Sequence, residues 1–312
     1  MEKTNSDYHQ PVLMDEVMNA ILIKNPGSYA DCTTGGGGHS LVLASRLLAG
    51  SQLDCFDRDP DAIKAAGLRL ASFDFINIHH RPFSEIRSVL NANSKDGILF
   101  DLGVSSHQLD DASRGFSFRD EQEVDMRMNP EDPLDALEFL QNTDAEELAA
   151  ILRDNSDFEK AYKTATLILE GINKLEGPLY PEFFRTILKQ VFPGKPHKMN
   201  SLLARLFQAI RMEVNSEKSE LKQSLVDAVH ILQSGGRLCV ISYHSVEDRI
   251  VKTTLATFEK ECICPPEVPV CNCGRSFKLL KKVNNKPLIP TASEVNANPR
   301  ARSAKLRIYQ KV

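Results

Sequence analysis

The 312-residue sequence has no run of about eighteen apolar residues, so no membrane-spanning helix is expected. Its opening residues, MEKTNSDYHQ, lack the apolar centre of a secretory signal. Seven cysteines, an odd number in a chain this long, do not make the disulfide framework of a small secreted domain. These absences predict a reduced, cytoplasmic protein with no membrane partner. Internal repeats and long low-complexity segments are missing as well. So is a clean G-x-G-x-x-G leading straight into a helix, which argues against a dinucleotide fold. There is no large excess of either charge, and the net −4 argues against a simple polyanion binder. That average hides an asymmetry. From residue 274 onward ten Lys or Arg face one acid, Glu294, a local +9 that leaves −13 on the rest of the chain. The stretch is either a phosphate-contacting surface or a solvated tail.

What is present starts with four consecutive glycines. Residues 29–40 read YADCTTGGGGHS, and the next strand-like run, 52–59, reads QLDCFDRD. Asp57 follows Gly37 by twenty positions. A nucleotide-type cofactor needs this pairing: glycines let the backbone approach the ligand, and a strand-end acid accepts hydrogen bonds from ribose hydroxyls. A crowded loop ending in His39 suits S-adenosylmethionine, which has no pyrophosphate to cradle. The bland alternative is a tight structural turn.

Strand-like runs near Tyr29, Gln52, Phe75 and Gly97 alternate with helical patterns at 41–48 and 60–71, after a short amphipathic helix at 15–23. Such alternation predicts βαβ units and a parallel sheet with helices on both faces. After Asp101 it stops for about a hundred residues. Helices are expected there at 134–140, 145–155, 158–174, 181–192 and 200–214, the first capped by Asp132 ahead of Pro133. The βαβ pattern then resumes with a helix at 217–232, a Gly235-Gly236 turn, a strand at 237–243 and a helix at 246–260, and a strand at 305–309 closes it. The expected organisation is an α/β, Rossmann-like sheet domain in two parts, 1–106 and 215–312, interrupted by an all-helical insertion at 107–214.

Asp101 ends the most apolar strand, DGILFDLG, where ligands sit in open α/β sheets. A carboxylate there could accept hydrogen bonds from a substrate amine whose lone pair is delocalised into a ring. Its alternative role is to hold the cofactor or cap the next element. Residues 113–128, SRGFSFRDEQEVDMRM, place Arg114, Arg119 and Arg127 among aromatics, either to grip RNA or to form internal ion pairs. His244, at the end of the resumed strand and read as opposite the first crevice, is a candidate proton acceptor or a structural histidine. Cys262, Cys264, Cys271 and Cys273 fall in CICPPEVPVCNC, which could hold structural zinc or form a loop of reduced thiols. The paired C-x-C spacing is less usual for zinc than C-x-x-C, and no metal is assigned to the reacting site.

The blocks YADCTTGGGGHS, DLGVSSHQLDDASRGFSFRDEQEVDMRMNP, FQAIRMEVNSE, GGRLCVISYHSVEDRIVK and NPRARSAKLR resemble the RsmH (MraW) family over about residues 9–308. The resemblance implies a class I S-adenosyl-L-methionine-dependent methyltransferase acting on the N4 amine of one cytidine in 16S ribosomal RNA. The implied partner is small-subunit ribosomal RNA or the assembled small subunit, and no DNA is expected. It also implies cofactor contacts at Gly37, Gly38, His39, Asp57, Phe83, Asp101 and Gln108, with Asp101 and His244 as candidate catalytic groups and the helical insertion as substrate-recognition domain. The chain carries Cys32 where many relatives have glycine. It has Asp101-Leu102-Gly103-Val104 where other amine methyltransferases carry D/N-P-P-Y/F, so the amine-binding groups of that motif must come from elsewhere. A small-molecule methyltransferase, a ribosome-assembly factor without catalysis and a nicotinamide oxidoreductase are the rival readings.

Overall fold

The structure is a computed structural model that describes residues 11–119, 121–262, 264, 270, 272–274 and 277–312. The chain divides into two compact units: residues up to Gly103 together with Ser219–Val312, and Val104–Lys218. In chain order the first unit contains helix α1 (Met14–Ile21), strand β1 (Ser28–Asp31), α2 (Gly38–Arg46), β2 (Gln52–Asp57), α3 (Pro60–Leu70), β3 (Ile76–His80), α4 (Ile86–Val89) and β4 (Lys95–Asp101). The second unit holds α5 (Ser106–Asp110), α6 (Ala136–Gln141), α7 (Ala145–Ser156), α8 (Ala161–Ile172), α9 (Pro181–Val191) and α10 (Met199–Val214). The chain returns to the first unit along α11 (Glu217–Ile231), then β5 (Leu232–Ser242), α12 (Ser245–Ala256), β6 (Leu280–Lys282), α13 (Ala292–Ala297) and β7 (Lys305–Lys311).

The seven strands order as β3-β2-β1-β4-β5-β7-β6. β1 to β5 run parallel, while β7 pairs antiparallel with both β5 and β6. This is the class I methyltransferase arrangement of a Rossmann-like sheet. The apolar centre of β4 is buried throughout, as a strand covered on both faces must be. Tyr29, Leu53, Cys55, Leu99, Cys239, Ile241 and Ile308 join Val17 and Ile21 of α1 and Leu43 of α2 in one core. Gly97 permits that packing, because a Cβ there would lie 2.5 Å from Ile21 Cγ1.

Three local expectations change. β5 begins at Leu232 and runs through Gly235-Gly236, which is not a free turn. A register shift against β4 between Lys95 and Gly97 absorbs the extra residues, with Gly235 at φ +83°. The helix expected from Asp132 begins later: Asp135 caps α6 by accepting from the Glu138 amide at 2.8 Å. Both aspartates fit a cap, but only Asp135 places a glutamate three residues on. β6 and α13, with three and six residues, are too short for a periodic signal.

The second unit has its own core, in which Leu148, Leu152, Ala165, Ile168, Leu188, Leu203 and Ile210 surround an aromatic centre. Phe184 and Phe118 each meet Phe207 edge-on, at 5.6 and 5.7 Å between centroids. Among the described residues no helix is long and apolar enough to cross a membrane.

Candidate active site

Parallel strands deliver their C-terminal ends to one edge, and three of them end there in aspartate: Asp31, Asp57 and Asp101. β1 to β3 step outward one way and β4 to β5 the other, so the β1/β4 boundary is the switch point at which open α/β sheets bind ligands. Asp31 and Asp101 stand on its two sides.

From β1 the chain makes the glycine loop. Gly35 and Gly37 have φ of +51° and +80°, and Gly37 is the N-cap of α2. A Cβ on Gly38 would come within 2.6 Å of Pro11 Cγ. Asp57 is locked to the loop: Oδ2 accepts from the Gly35 amide at 2.7 Å and Oδ1 from the Asp59 amide at 2.9 Å. Burial pushes its carboxyl up to about 6, although both amides oppose the shift. Asp31, fully enclosed, accepts from Ser40 Oγ at 2.6 Å, and burial pushes it to about 6 as well.

Asp101 gathers the remaining groups. Its Oδ1 accepts from the Tyr243 hydroxyl at 2.8 Å, and its Oδ2 lies 3.5 Å from His39 Nδ1. His39 Nε2 contacts the Val12 carbonyl at 3.0 Å, so Nε2 carries the proton and Nδ1 presents a lone pair to Asp101. Burial lowers the His39 pKa despite nearby Asp31, so the ring is neutral. The same desolvation, with Glu247 adding to it and Tyr243 opposing it, raises the Asp101 carboxyl to about 7. A carboxyl poised at neutrality beside a ligand crevice can accept a hydrogen bond from an amine and exchange a proton.

The model of the MraW methylase family matches residues 6–312. The chain belongs to that family. It is 40% identical over 308 residues to the ribosomal RNA small subunit methyltransferase H of Clostridium botulinum (strain 657 / Type Ba4), covering 97% of this chain and 99% of the relative. It is 39% identical to the proteins of the same name from Brevibacillus brevis, covering 99% of each, and from Symbiobacterium thermophilum, covering 98% and 97%.

Against this MraW-family background, the residues expected at the site fall as follows. Gly37 ends the glycine loop, Gly38 and His39 open α2, and Asp57 and Asp101 close their strands, all at the one sheet edge, although the His39 ring is buried. Phe83 follows β3 and meets Phe100 edge-on at 5.9 Å. Gln108 belongs to the second unit, where its Oε1 accepts from the Ser105 amide at 2.9 Å in the capping box of α5. His244 is the N-cap of α12. Its Nδ1 accepts from the Glu247 amide at 3.3 Å, and its Nε2 sits 3.0 Å from Glu247 Oε1. The strand it follows is a parallel neighbour of β4 and ends at the same edge, not opposite it. Tyr243, Glu247 and Asp31 are the groups that sequence reasoning did not select.

The arginines of 113–128 are mostly internal. Arg114 is buried and donates to the Met128 and Arg127 carbonyls at 2.5 and 3.2 Å. Arg127 forks onto Asp125 at 2.6 to 3.1 Å, and Arg119 is exposed. The basic C-terminal stretch is partly neutralised: Arg307 pairs with Asp248 at 2.6 Å and Lys282 with Glu259 at 2.8 Å. Lys278, Lys281, Lys286 and Arg302 are exposed, while Arg275 and Cys271 lie outside the described residues.

Proposed function

We propose that this protein transfers a methyl group from S-adenosyl-L-methionine to the N4 amine of a specific cytidine in 16S ribosomal RNA, acting in the cytoplasm on the RNA or the assembled small subunit. The observation that carries the reading is Asp101, a near-neutral carboxyl held by Tyr243 at the switch point. Curated relatives about 40% identical over nearly the whole chain bear the small-subunit methyltransferase name, which supports the ribosomal substrate.

The residues fit the cofactor. Positive φ at Gly35 and Gly37 makes a loop that L side chains disfavour, and the open space at Gly35 is room that a Cβ would enter. Two amides fix the Asp57 carboxylate, leaving further lone pairs for ribose hydroxyls. Phe83 would pack on the adenine, and the first amides of α2, from Gly38 and His39, would receive the cofactor's carboxylate. When bound, the cofactor supplies an electrophilic methyl group on sulfonium.

Asp101 accepts an N–H of the target amine, which localises the nitrogen lone pair and aims it in line with the methyl carbon. This nitrogen would then take the bound cofactor's methyl group, with the S–C electron pair staying on sulfur. The surplus proton on nitrogen passes to Asp101 or to water. The chain's contribution is chiefly orientation. Tyr243 fixes the Asp101 rotamer, and the step needs no metal. The cytosine must be unstacked to reach this edge. The helical unit would help hold the RNA: a cavity of about 340 Å³ there places the rings of Phe118 and Tyr180 for stacking and the exposed Arg119 for phosphate, while Arg185 is paired with Glu182 at 3.0 Å.

The test is incubation with labelled S-adenosylmethionine and small subunits from cells lacking this activity, followed by nucleoside mass spectrometry. Label is expected in N4-methylcytidine. Cofactor binding without that label would overturn the substrate assignment. Asp101→Ala is expected to abolish label while keeping the fold, and normal turnover by that variant would remove Asp101 from the mechanism.

A further inference from the structure

Between α12 and β6, two of the described apolar side chains face solvent. Val270 is 73% exposed and Phe277 64% exposed, so neither side chain contributes to a core. Both ends are nonetheless fixed, because the Phe258 carbonyl accepts from the Leu279 and Leu280 amides at 2.9 and 3.0 Å. Within this segment the sulfurs of Cys262, Cys264 and Cys273 lie within 4.8 Å of one another.

Their spacing fits thiolate ligation of a metal ion. Cys262 and Cys273 Sγ are 3.8 Å apart. Thiolates about 2.3 Å from a zinc ion at the corners of a tetrahedron stand about 3.8 Å from each other, whereas a disulfide needs about 2.05 Å. Amide hydrogens also point at sulfur: the Cys264 amide lies 3.4 Å from Cys262 Sγ, and the Asn272 amide 3.4 Å from Cys264 Sγ. Cys264 Sγ also meets Asn272 Oδ1 at 3.2 Å, so these contacts hold the sulfurs in fixed orientations. The core cysteines differ in being buried. Burial pushes the thiols of Cys55 and Cys239 up to about 12, where they behave as small apolar side chains.

We propose that Cys262, Cys264 and Cys273 are thiolate ligands of a structural zinc ion that orders the segment between α12 and β6. The sequence offers Cys271, two residues before Cys273 and outside the described residues, for the fourth position. Binding displaces the thiol protons, and an all-thiolate shell leaves no open position for substrate. The ion therefore serves the fold of this segment and takes no part in methyl transfer.

The experiment uses the untagged full chain purified under reductant. Elemental analysis should find about one zinc per chain, as a closed thiolate site requires. The metal-stripped, reduced protein titrated anaerobically with cobalt(II) should develop thiolate-to-metal charge-transfer bands and the intense visible bands of a tetrahedral centre. Cys262→Ser with Cys273→Ser should lose both signals. Absence of zinc together with absence of the cobalt bands would overturn the proposal, as would equal zinc retention by the double variant. Because the cobalt spectrum is read on the unmodified chain, a variant that fails to fold does not decide the matter.

Discussion

Two places in the one sheet treat a buried carboxylate in opposite ways. Asp54, within β2, is surrounded by donors: the Lys95 ammonium, His79 Nε2 at 2.9 Å and Asn77 Nδ2 at 3.2 Å. Burial alone would raise its pKa, but Lys95, His79 and Asn77 together hold it below the usual carboxylate range. Asp101, at the C-terminal edge, has the Tyr243 hydroxyl as its principal donor and faces a neutral imidazole lone pair and Glu247, so burial prevails and its carboxyl rises to about 7. The first arrangement serves the fold. The second leaves a carboxyl under-satisfied where a ligand can complete it, a local cost accepted in return for chemistry.

The largest expected effect breaks the comparison at Asp101. Asp101→Asn keeps the shape but removes the charge, one of the two acceptor oxygens and the base, and kcat should fall on the order of 10³-fold. The folded protein should gain stability at the same time. The Asp101 carboxyl holds its proton more tightly folded than unfolded. Its contribution is therefore complete below pH 4 or so, the ordinary carboxyl range, and is lost as pH rises through about 7. Urea titrations should find the variant more stable by about 2 kcal/mol at pH 8 and no different at pH 4, less than the full shift implies because the side chain is partly exposed. A variant less stable at both pH values would show that Asp101 is structural.

Lys95→Met attacks the opposite pole. It strands Asp54 in the interior without its ammonium partner, which should cost about 3–5 kcal/mol of folding stability. Turnover by the protein that remains folded should be unchanged, measured well below its melting temperature. Restoration of stability by adding Asp54→Leu would assign the loss to the orphaned charge, whereas a matching fall in kcat would join the two poles that the comparison separates.

How far these poles are legible in the sequence follows from the range of the interactions. The glycine loop, Asp57 and Asp101 stand out because each is a local pattern: a glycine run after a strand, and acids closing apolar runs. The Tyr243–Asp101 bond joins residues 142 positions apart, and nothing near either one announces the other. Asp31 sits inside YADC, where its burial is invisible until Ser40 folds back onto it. Arg114 and Arg127 show charge in the sequence but not direction, and both point inward onto carbonyls and Asp125. The capping role of Gln108 is readable in S-x-x-Q, Ser105 to Gln108, a signal passed over in favour of the family contact.

A smaller effect tests how Asp101 is poised. Tyr243→Phe removes the hydrogen bond that opposes the burial shift, so the Asp101 carboxyl should rise further. If the ionised form is the active one, kcat climbs with pH through about 7 in the native enzyme. That limb should move up by about one unit in the variant. The loss at pH 7 would be up to about tenfold and should disappear at high pH. A uniform loss at every pH, with the limb unmoved, would reduce Tyr243 to a packing contact.

The smallest effect lies at Gly37, whose φ of +80° is left-handed. Alanine there should cost about 1 kcal/mol, the strain of an L side chain in that region. The new Cβ would add little, since its nearest neighbour is Ala66 Cα at 3.4 Å. Gly37→Asn should recover part of that loss, because asparagine tolerates left-handed backbone better. Thermal melts of the two variants measure the strain, and calorimetric titration with S-adenosylhomocysteine measures the loop as a binding element. If Gly37 only ends a turn, both variants bind the nucleoside as the native protein does. If the left-handed backbone at Gly37 shapes the loop for the cofactor, affinity falls in both, and less in the asparagine variant, which tolerates that conformation better.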